Sequence, residues 1–147
     1  MSVGMKVIIG FHMVSFSLWL IGQTGAVLDY DTVAAWGLQG PRDLLDPVIV
    51  EVNRGIGLAD TFVMLPLHAA ALLGLIRGRF YGLVTSWLVF GMTIYWPTVF
   101  WCSQYFYSRA GVVHQPTQPE AVILPAVMMA VAIWGSWYLA KNRSEFE

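Results

Sequence analysis

The sequence is poor in charge. Only 12% of its 147 residues are aspartate, glutamate, lysine or arginine, whereas soluble domains carry about 25%. Hydrophobic residues make up 57%, and the formal net charge is -1. The chain has no cluster of lysines and arginines of the kind that attracts nucleic acid or anionic lipid headgroups. These shortages argue against a soluble enzyme or a nucleic-acid partner and predict a membrane protein.

Cysteine is almost absent. Cys102 is the only one, so the chain has no intramolecular disulfide and no thiol cluster for zinc, an iron–sulfur centre or dithiol redox chemistry. The signatures of zinc proteases, dinucleotide-binding folds, P-loop enzymes and serine hydrolases are also missing. The motifs therefore predict neither a metal nor a cofactor.

Long apolar runs are what the chain does have. Four of them reach the roughly 20 residues that a helix needs to cross a bilayer. We therefore predict an all-α integral membrane protein in which one domain, residues 1–147, forms an up-down-up-down bundle of four transmembrane helices. The first run is longer than the apolar core of a signal peptide, which has about 7–15 residues, so we expect this segment to be retained in the mature protein. The predicted spans cover residues 7–28, 57–76, 80–101 and 121–140, with an extracytoplasmic loop over residues 29–56.

Lysine and arginine placement predicts the orientation, because positively charged loops stay on the cytoplasmic side. More of these residues lie beside the two termini and the connection between the second and third spans than in the two connections on the opposite side of the membrane. Both termini are therefore predicted to be cytoplasmic in a multi-pass protein of the plasma or inner membrane. Lys6, Arg77, Arg79, Lys141 and Arg143 form the first group, and Arg42, Arg54 and Arg109 form the second.

The helix of the second span is predicted to begin well before the membrane. Asp46 is placed to cap its first turn, and Pro47 is suited to a first helical position. A helix from Pro47 to Ile76 would be about 45 Å long, against about 30 Å of hydrocarbon core. Its first turns would project into water, where Glu51 and Arg54 are spaced to form an ion pair.

Asp60 lies inside the second span. A carboxylate at membrane depth costs at least about 2.5 kcal/mol, so such groups usually face a bundle interior and often mark a functional site. Counting 1.5 Å per residue places Gln23, Thr93 and Tyr95 at a similar depth, next to Trp96. We predict a ligand pocket there, although small and hydroxyl residues on facing stripes are also typical of ordinary helix packing. The predicted ligand-binding residues are Gln23, Asn53, Arg54, Asp60, Thr93, Tyr95 and Trp96.

The 3.6-residue period predicts one inward stripe for each of the first three spans. These stripes are His12, Ser15, Trp19, Gly22, Gln23 and Ala26 in the first, Asn53, Gly57, Asp60, Met64, Leu67 and Ala71 in the second, and Gly82, Ser86, Val89, Thr93 and Pro97 in the third.

Two histidines lie within the spans. His12 and His68 fall at comparable depths, and an imidazole pair between helices is one way to hold the iron of a b-type haem. The alternative is that each histidine hydrogen-bonds to a neighbouring helix. His114 is interpreted as a solvated loop residue.

Three hypotheses about function follow. The first is a binding protein whose outer-leaflet cavity around Asp60 holds a small hydrophobic or amphipathic, lipid-like molecule or a partner helix. The second is an intramembrane isomerase or cyclase acting on a lipid-like substrate, with Asp60 as general acid or base and Tyr95 assisting. The third is proton- or cation-coupled transport by a homo-oligomer, because one protomer has little room for a conduit. The expected partners are the bilayer, the small ligand and possible further subunits of a larger membrane complex.

Overall fold

A computed structural model describes residues 1–146, which contain no strand; 83% of the chain is helical. The helices are α1 (Val3–Leu28), α2 (Tyr30–Ala35), α3 (Pro47–Ile76), α4 (Phe80–Ala110) and α5 (Glu120–Lys141), with short 3-10 helices at Arg42–Leu44 and Arg143–Glu145. Helices α1, α3, α4 and α5 are each long and apolar enough to cross a membrane. Helix α1 contains one wider, π-helical turn, Leu20–Thr24.

Helix α3 begins where the sequence predicts. The carboxylate of Asp46 accepts a hydrogen bond from a first-turn amide, and Pro47 occupies the first turn. The ion pair expected between Glu51 and Arg54 is confirmed, with 3.0 Å between Oε2 and Nη1. Arg54 also donates to the carbonyl of Val27, 3.3 Å away. The start of α3 is thereby tied to the end of α1.

Helices α3 and α4 touch backbone to backbone. A three-residue turn, Arg77–Arg79, joins them, and its Gly78 adopts a left-handed conformation with φ 61°. Gly74 and Gly82 face each other across the contact, where a Cβ atom added to either would overlap the backbone of the other. Small residues allow membrane helices to approach this closely. Both glycines are therefore structural requirements of the α3–α4 pair.

One face of each of the first three long helices is buried, with the helical periodicity that the sequence indicated. This confirms the predicted inward stripe of α4 in full, whereas Asn53, Leu67 and Trp19 of the other two stripes are only half-buried. The buried residues are Gly82, Ser86, Val89, Thr93 and Pro97 on α4, Gly57, Asp60, Met64, His68 and Ala71 on α3, and His12, Ser15, Gly22, Gln23 and Ala26 on α1.

The four long helices pack together most closely at one end of the bundle. We call it the terminus end, since Met5 of α1 and Leu139 of α5 meet there with Leu75 and Leu83 in one apolar cluster. Helix α5 has its buried residues only in its second half, and none within 120–131. Towards the opposite, loop end, α5 therefore covers the other helices much less completely.

A proline and a tryptophan attach the first half of α5 to α4. Pro125 has no amide hydrogen, so the carbonyl of Ala121 one turn earlier loses its partner within the helix. The indole nitrogen of Trp101 on α4 donates to that carbonyl, at 3.2 Å. The proline thus creates the acceptor that joins α5 to α4 near the loop end.

The segment between α1 and α3 forms a packed cap at the loop end. The Asp29 carboxylate accepts hydrogen bonds from the hydroxyl and the amide of Thr32, at 2.7 and 3.2 Å. These two hydrogen bonds lower the pKa of Asp29 below its usual value, and the bond from the Thr32 hydroxyl has the larger effect. Tyr30 donates to the carbonyl of Gly40, and the Arg42 guanidinium lies 4.8 Å from the centre of the Tyr30 ring.

Candidate functional site

Asp60 lies inside the bundle with its carboxyl group incompletely bonded. The residue is 7% exposed, and its Oδ2 atom is fully buried with no hydrogen-bond partner among residues 1–146. Leaving a buried polar group unpaired costs about 1–3 kcal/mol. The packing of the chain therefore leaves this group unsatisfied. Such atoms often mark a place for water, an ion or a catalytic role.

Helices α1 and α3 come into close contact within one turn of Asp60. A Cβ atom added to Gly57 would lie 2.6 Å from the carbonyl oxygen of Gln23. The hydroxyls of Thr24 and Thr61 are 2.8 Å apart in the same region. The α1 residues at this contact belong to its π-helical turn, a feature frequently found at functional sites. The fold thus brings Gln23 close to the level of Asp60.

Helix α4 contributes two of its three predicted residues to the interior at this level. Thr93 is buried and its hydroxyl donates to a carbonyl one turn earlier in α4. Trp96 is half-buried and packs edge-on against Trp19, with 6.0 Å between ring centres. Tyr95 is 61% exposed on the outer surface of the bundle. The structure therefore does not bring the Tyr95 side chain to Asp60.

Asn53 and Arg54 lie nearer the loop end. The side-chain amide of Asn53 makes a long contact of 3.5 Å with the hydroxyl of Tyr30. The Arg54 guanidinium binds Glu51 and the end of α1. Seven residues of helix, about 10 Å, separate Asn53 from Asp60. Asn53 thus holds the loop-end cap to α3 and Arg54 holds the end of α1 to α3, and neither completes the buried layer.

A second polar cluster crosses three helices. The Nδ1 atoms of His12 and His68 are 3.1 Å apart, and His12 Nε2 lies 3.1 Å from the Oγ of Ser86. Ser86 in turn donates to the carbonyl of Gly82, at 2.7 Å. All three side chains are fully buried. We call this set the histidine row. The sequence placed the two histidines at one depth, but it did not single out Ser86, which lies on the predicted stripe of α4.

The bonding pattern of the histidine row fixes its protons. A carbonyl only accepts, so the Ser86 hydroxyl proton points to Gly82 and the Ser86 oxygen accepts from His12 Nε2. His12 Nδ1 is then an acceptor, to which His68 donates its Nδ1 proton. His68 Nε2 remains as a buried acceptor with no partner among the described residues. The histidine row ends at the backbone carbonyl of Gly82, and a proton cannot be transferred beyond that point because a carbonyl has no proton to donate.

The histidine row does not fit a haem. Two axial ligands stand on opposite faces of a porphyrin, about 4 Å apart if each bond to the metal is about 2 Å. The facing nitrogens of His12 and His68 are only 3.1 Å apart, which leaves no space for the porphyrin between the rings. Within residues 1–146, no three histidine, cysteine, aspartate or glutamate side chains are grouped as metal ligands.

The hydrogen bonds of the histidine row should contribute measurably to stability. In His12→Leu an apolar side chain fills the place of the imidazole, but the buried His68 donor and the Ser86 oxygen lose their hydrogen-bond partner. We expect the free energy of unfolding to fall by about 1–3 kcal/mol. Chemical unfolding in detergent measures it, with the exposed Met13→Leu on the same helix as the control. Equal stability of the two variants would show that the row contributes nothing.

Asp60 and His68 share the buried face of α3. They are eight residues, about 12 Å, apart, and the fully buried Met64 lies between them. Each has a polar atom without a hydrogen-bond partner in the described chain. No protein family model, curated protein or solved structure matches the chain, so these residues are the basis for interpreting the site.

Proposed function

We propose that the chain is a multi-pass membrane protein of the plasma or inner membrane, with four antiparallel spans and both termini in the cytoplasm. The four apolar helices and their joint packing at the terminus end support this arrangement. Five of the eight lysines and arginines lie in sequence beside the residues of that end, as expected for a cytoplasmic side.

The orientation predicts a pattern of chemical labelling. With Cys102 replaced by serine, a new cysteine at Asp43 in the loop-end cap should react with a membrane-impermeant maleimide on intact cells. A cysteine at Ser144, after α5, should react only after permeabilisation. Both native residues are exposed. Labelling at position 144 of intact cells, with position 43 protected, would reverse the proposed orientation.

We propose further that the loop-end half of the bundle binds a small amphipathic, lipid-like molecule through Asp60. The observation that carries this proposal is the buried Oδ2 atom, which has no hydrogen-bond partner in the part of the chain that the structure describes. A hydroxyl, amine or amide N–H of the ligand would satisfy it, and an ammonium group would also neutralise an ionised carboxylate. The ligand thereby supplies the partner that the packing of the helices leaves out.

Aromatic side chains next to this level suit the apolar part of such a ligand. Trp96 stacks in parallel on Phe100, with 5.8 Å between ring centres, and meets Trp19 edge-on. All three rings are only half-buried. The first half of α5 has no buried residue, which leaves the flank of the bundle less covered at this height. An acyl or prenyl chain lying there would have its polar end close to the level of Asp60.

The two other hypotheses receive less support. An isomerase or cyclase needs a second polar group beside Asp60, and Tyr95, the residue predicted for that role, lies on the outside. Proton- or cation-coupled transport is a property expected of a homo-oligomer, and within one protomer the histidine row gives it no support because the row ends at the Gly82 carbonyl. Ligand binding requires only the unpaired carboxyl and the adjoining aromatic surface.

Native mass spectrometry of protein purified in mild detergent tests the binding proposal. The wild-type protein should carry a non-covalent adduct with the mass of a lipid or similar small molecule. Asp60→Leu, which removes both carboxyl oxygens, should lose most of it, whereas the exposed control Asp43→Leu should keep it. Equal adduct occupancy in all three would contradict the proposal, and a peptide-sized mass would assign a partner helix instead.

A further inference from the structure

A separate cleft lies at the loop end, between the last turns of α4 and the segment that follows it. Its volume is about 540 Å³, within the range of about 300–1,000 Å³ that is common for small-molecule sites. It shares no residue with the site proposed around Asp60. Its lining includes Trp101, Gln104, Tyr105, Ser108, His114 and Thr117.

Ser108 and His114 form a hydrogen-bonded pair in this cleft. Ser108 Oγ lies 3.0 Å from His114 Nε2, and His114 Nδ1 lies 2.7 Å from the carbonyl oxygen of Val112. A carbonyl only accepts, so Nδ1 carries the proton, and in the neutral imidazole Nε2 then has the free lone pair. The serine hydroxyl must then donate to Nε2. His114 lies in the irregular segment after α4, where the sequence suggested a loop residue; it is half-buried, and these bonds hold it in one tautomer.

This arrangement matches the hydrogen-bond pattern around an activated serine. A nucleophile within hydrogen-bond reach of a base, which is itself oriented by a third group, is the geometric mark of nucleophilic catalysis. Here the Val112 carbonyl takes the orienting position that an aspartate fills in a serine–histidine–aspartate triad. The two residues are six positions apart, across the end of a helix, which matches no serine-hydrolase sequence motif.

A third residue of the cleft suits the stabilisation of negative charge. Gln104 precedes Ser108 by one turn, so both lie on the same side of α4. Its side-chain amide carries two N–H donors, which are the groups that stabilise an oxyanion. The amide oxygen, Oε1, is buried with no partner in the described chain and is an acceptor, so only the N–H end of the amide suits that role.

We propose that Ser108 and His114 are a nucleophile and base that hydrolyse carboxylic esters of amphipathic molecules. Ser108 Oγ bonds to the ester carbonyl carbon while its proton passes to His114 Nε2 and the carbonyl electron pair moves to oxygen, near Gln104. The carbon–oxygen bond to the alcohol then breaks, and the alcohol leaves with the proton from His114. Water attacks the acyl-serine, giving a proton to His114. The acid departs as Ser108 recovers its proton.

The position of the cleft favours an ester with an apolar chain. Trp101 and Tyr105 line it near the end of a helix long enough to cross the membrane. Tryptophan and tyrosine rings at span ends lie at headgroup level, where the ester groups of lipid-like molecules are found. An acyl chain could extend along α4 while the ester carbonyl lies at Ser108.

An alkyl fluorophosphonate, which forms a covalent bond with activated serines, tests the proposal on the full-length protein in detergent. Peptide mass spectrometry should find the adduct on Ser108 of the wild type and no adduct in Ser108→Ala. Replacing the base with His114→Gln should slow labelling and the hydrolysis of a p-nitrophenyl ester by about 100-fold or more. Ser103→Ala, on the same helix and outside the lining of the cleft, should react like the wild type.

Two results would overturn the proposal. One is labelling of the wild type no faster than that of Ser108→Ala. The other is a rate at Ser108 that is unchanged in His114→Gln, since a base that does not activate the serine has no catalytic role. Thermal unfolding of each variant, compared with the wild type, shows whether a loss of reaction reflects the chemistry or the fold.

Discussion

Replacing Asp60 with leucine is expected to stabilise the ligand-free bundle by about 1–3 kcal/mol. The substitution removes a buried carboxyl group whose Oδ2 has no hydrogen-bond partner among residues 1–146, and adds apolar surface in its place. The free energy of unfolding of the delipidated protein, measured with denaturant in detergent, gives the change directly. The same variant should lose the bound ligand, because the acceptor is gone. A gain in stability that accompanies a loss of function is common at binding sites.

The exposed Asp43→Leu is the matched control, and its stability should stay within about 0.5 kcal/mol of the wild type. A clear loss of stability in Asp60→Leu would contradict the interpretation. It would mean that the carboxyl is well paired inside the protein and locks the helices together, which is the structural alternative to a binding site.

Replacing Gly82 with valine is expected to prevent the bundle from folding. Any Cβ atom at this position overlaps the backbone of Gly74 on α3, and a helix backbone cannot move aside as a flexible side chain does. Overpacking a core costs about 1–3 kcal/mol, and occasionally more. Here the overlap is with backbone atoms on both sides of a three-residue turn, so helices α3 and α4 would have to move apart next to that turn. Size-exclusion chromatography and circular dichroism should show aggregated protein or greatly lowered thermal stability.

Gly91→Val is the control for helix propensity. Gly91 lies in the same helix, and a Cβ atom added there meets nothing within 4 Å. This variant should fold with a thermal midpoint close to that of the wild type. If Gly82→Val unfolded at the same temperature as Gly91→Val, the close contact between α3 and α4 would not exist as described.

The parts of the fold that follow from local rules could be predicted from the sequence. Asp46 and Pro47 fix the start of α3 because capping and proline geometry act within one turn. The pairing of Glu51 with Arg54 is set by a spacing of three residues on a helix. The inward stripe of α4 followed from its 3.6-residue period for the same reason.

The Tyr95 prediction shows what a count of depth leaves out. The depth of a residue along a helix does not say in which direction its side chain points. Two residues that are two positions apart in a helix point in directions that differ by about 200°. Thr93 and Tyr95 therefore lie at similar heights on nearly opposite sides of α4. Thr93 belongs to the predicted stripe and is buried, whereas Tyr95 is exposed. The helical period alone would have separated the two.

The contacts between distant segments could not be predicted. The bond between His12 and Ser86 depends on how α1 and α4 are rotated against each other, which no local pattern fixes. The pair of Ser108 and His114 depends on an irregular segment after α4 that turns back on the helix. Because this segment is not a regular helix, the helical period does not predict which of its residues face α4.

A high-resolution density map of the protein in native lipid tests the central proposal most directly. The proposal predicts non-protein density beside Asp60, with a polar group of the ligand within about 3.2 Å of a carboxylate oxygen. It also predicts that this density continues towards the rings of Trp19 and Trp96. A carboxyl group fully hydrogen-bonded to protein side chains, with no density beside it, would contradict the proposal.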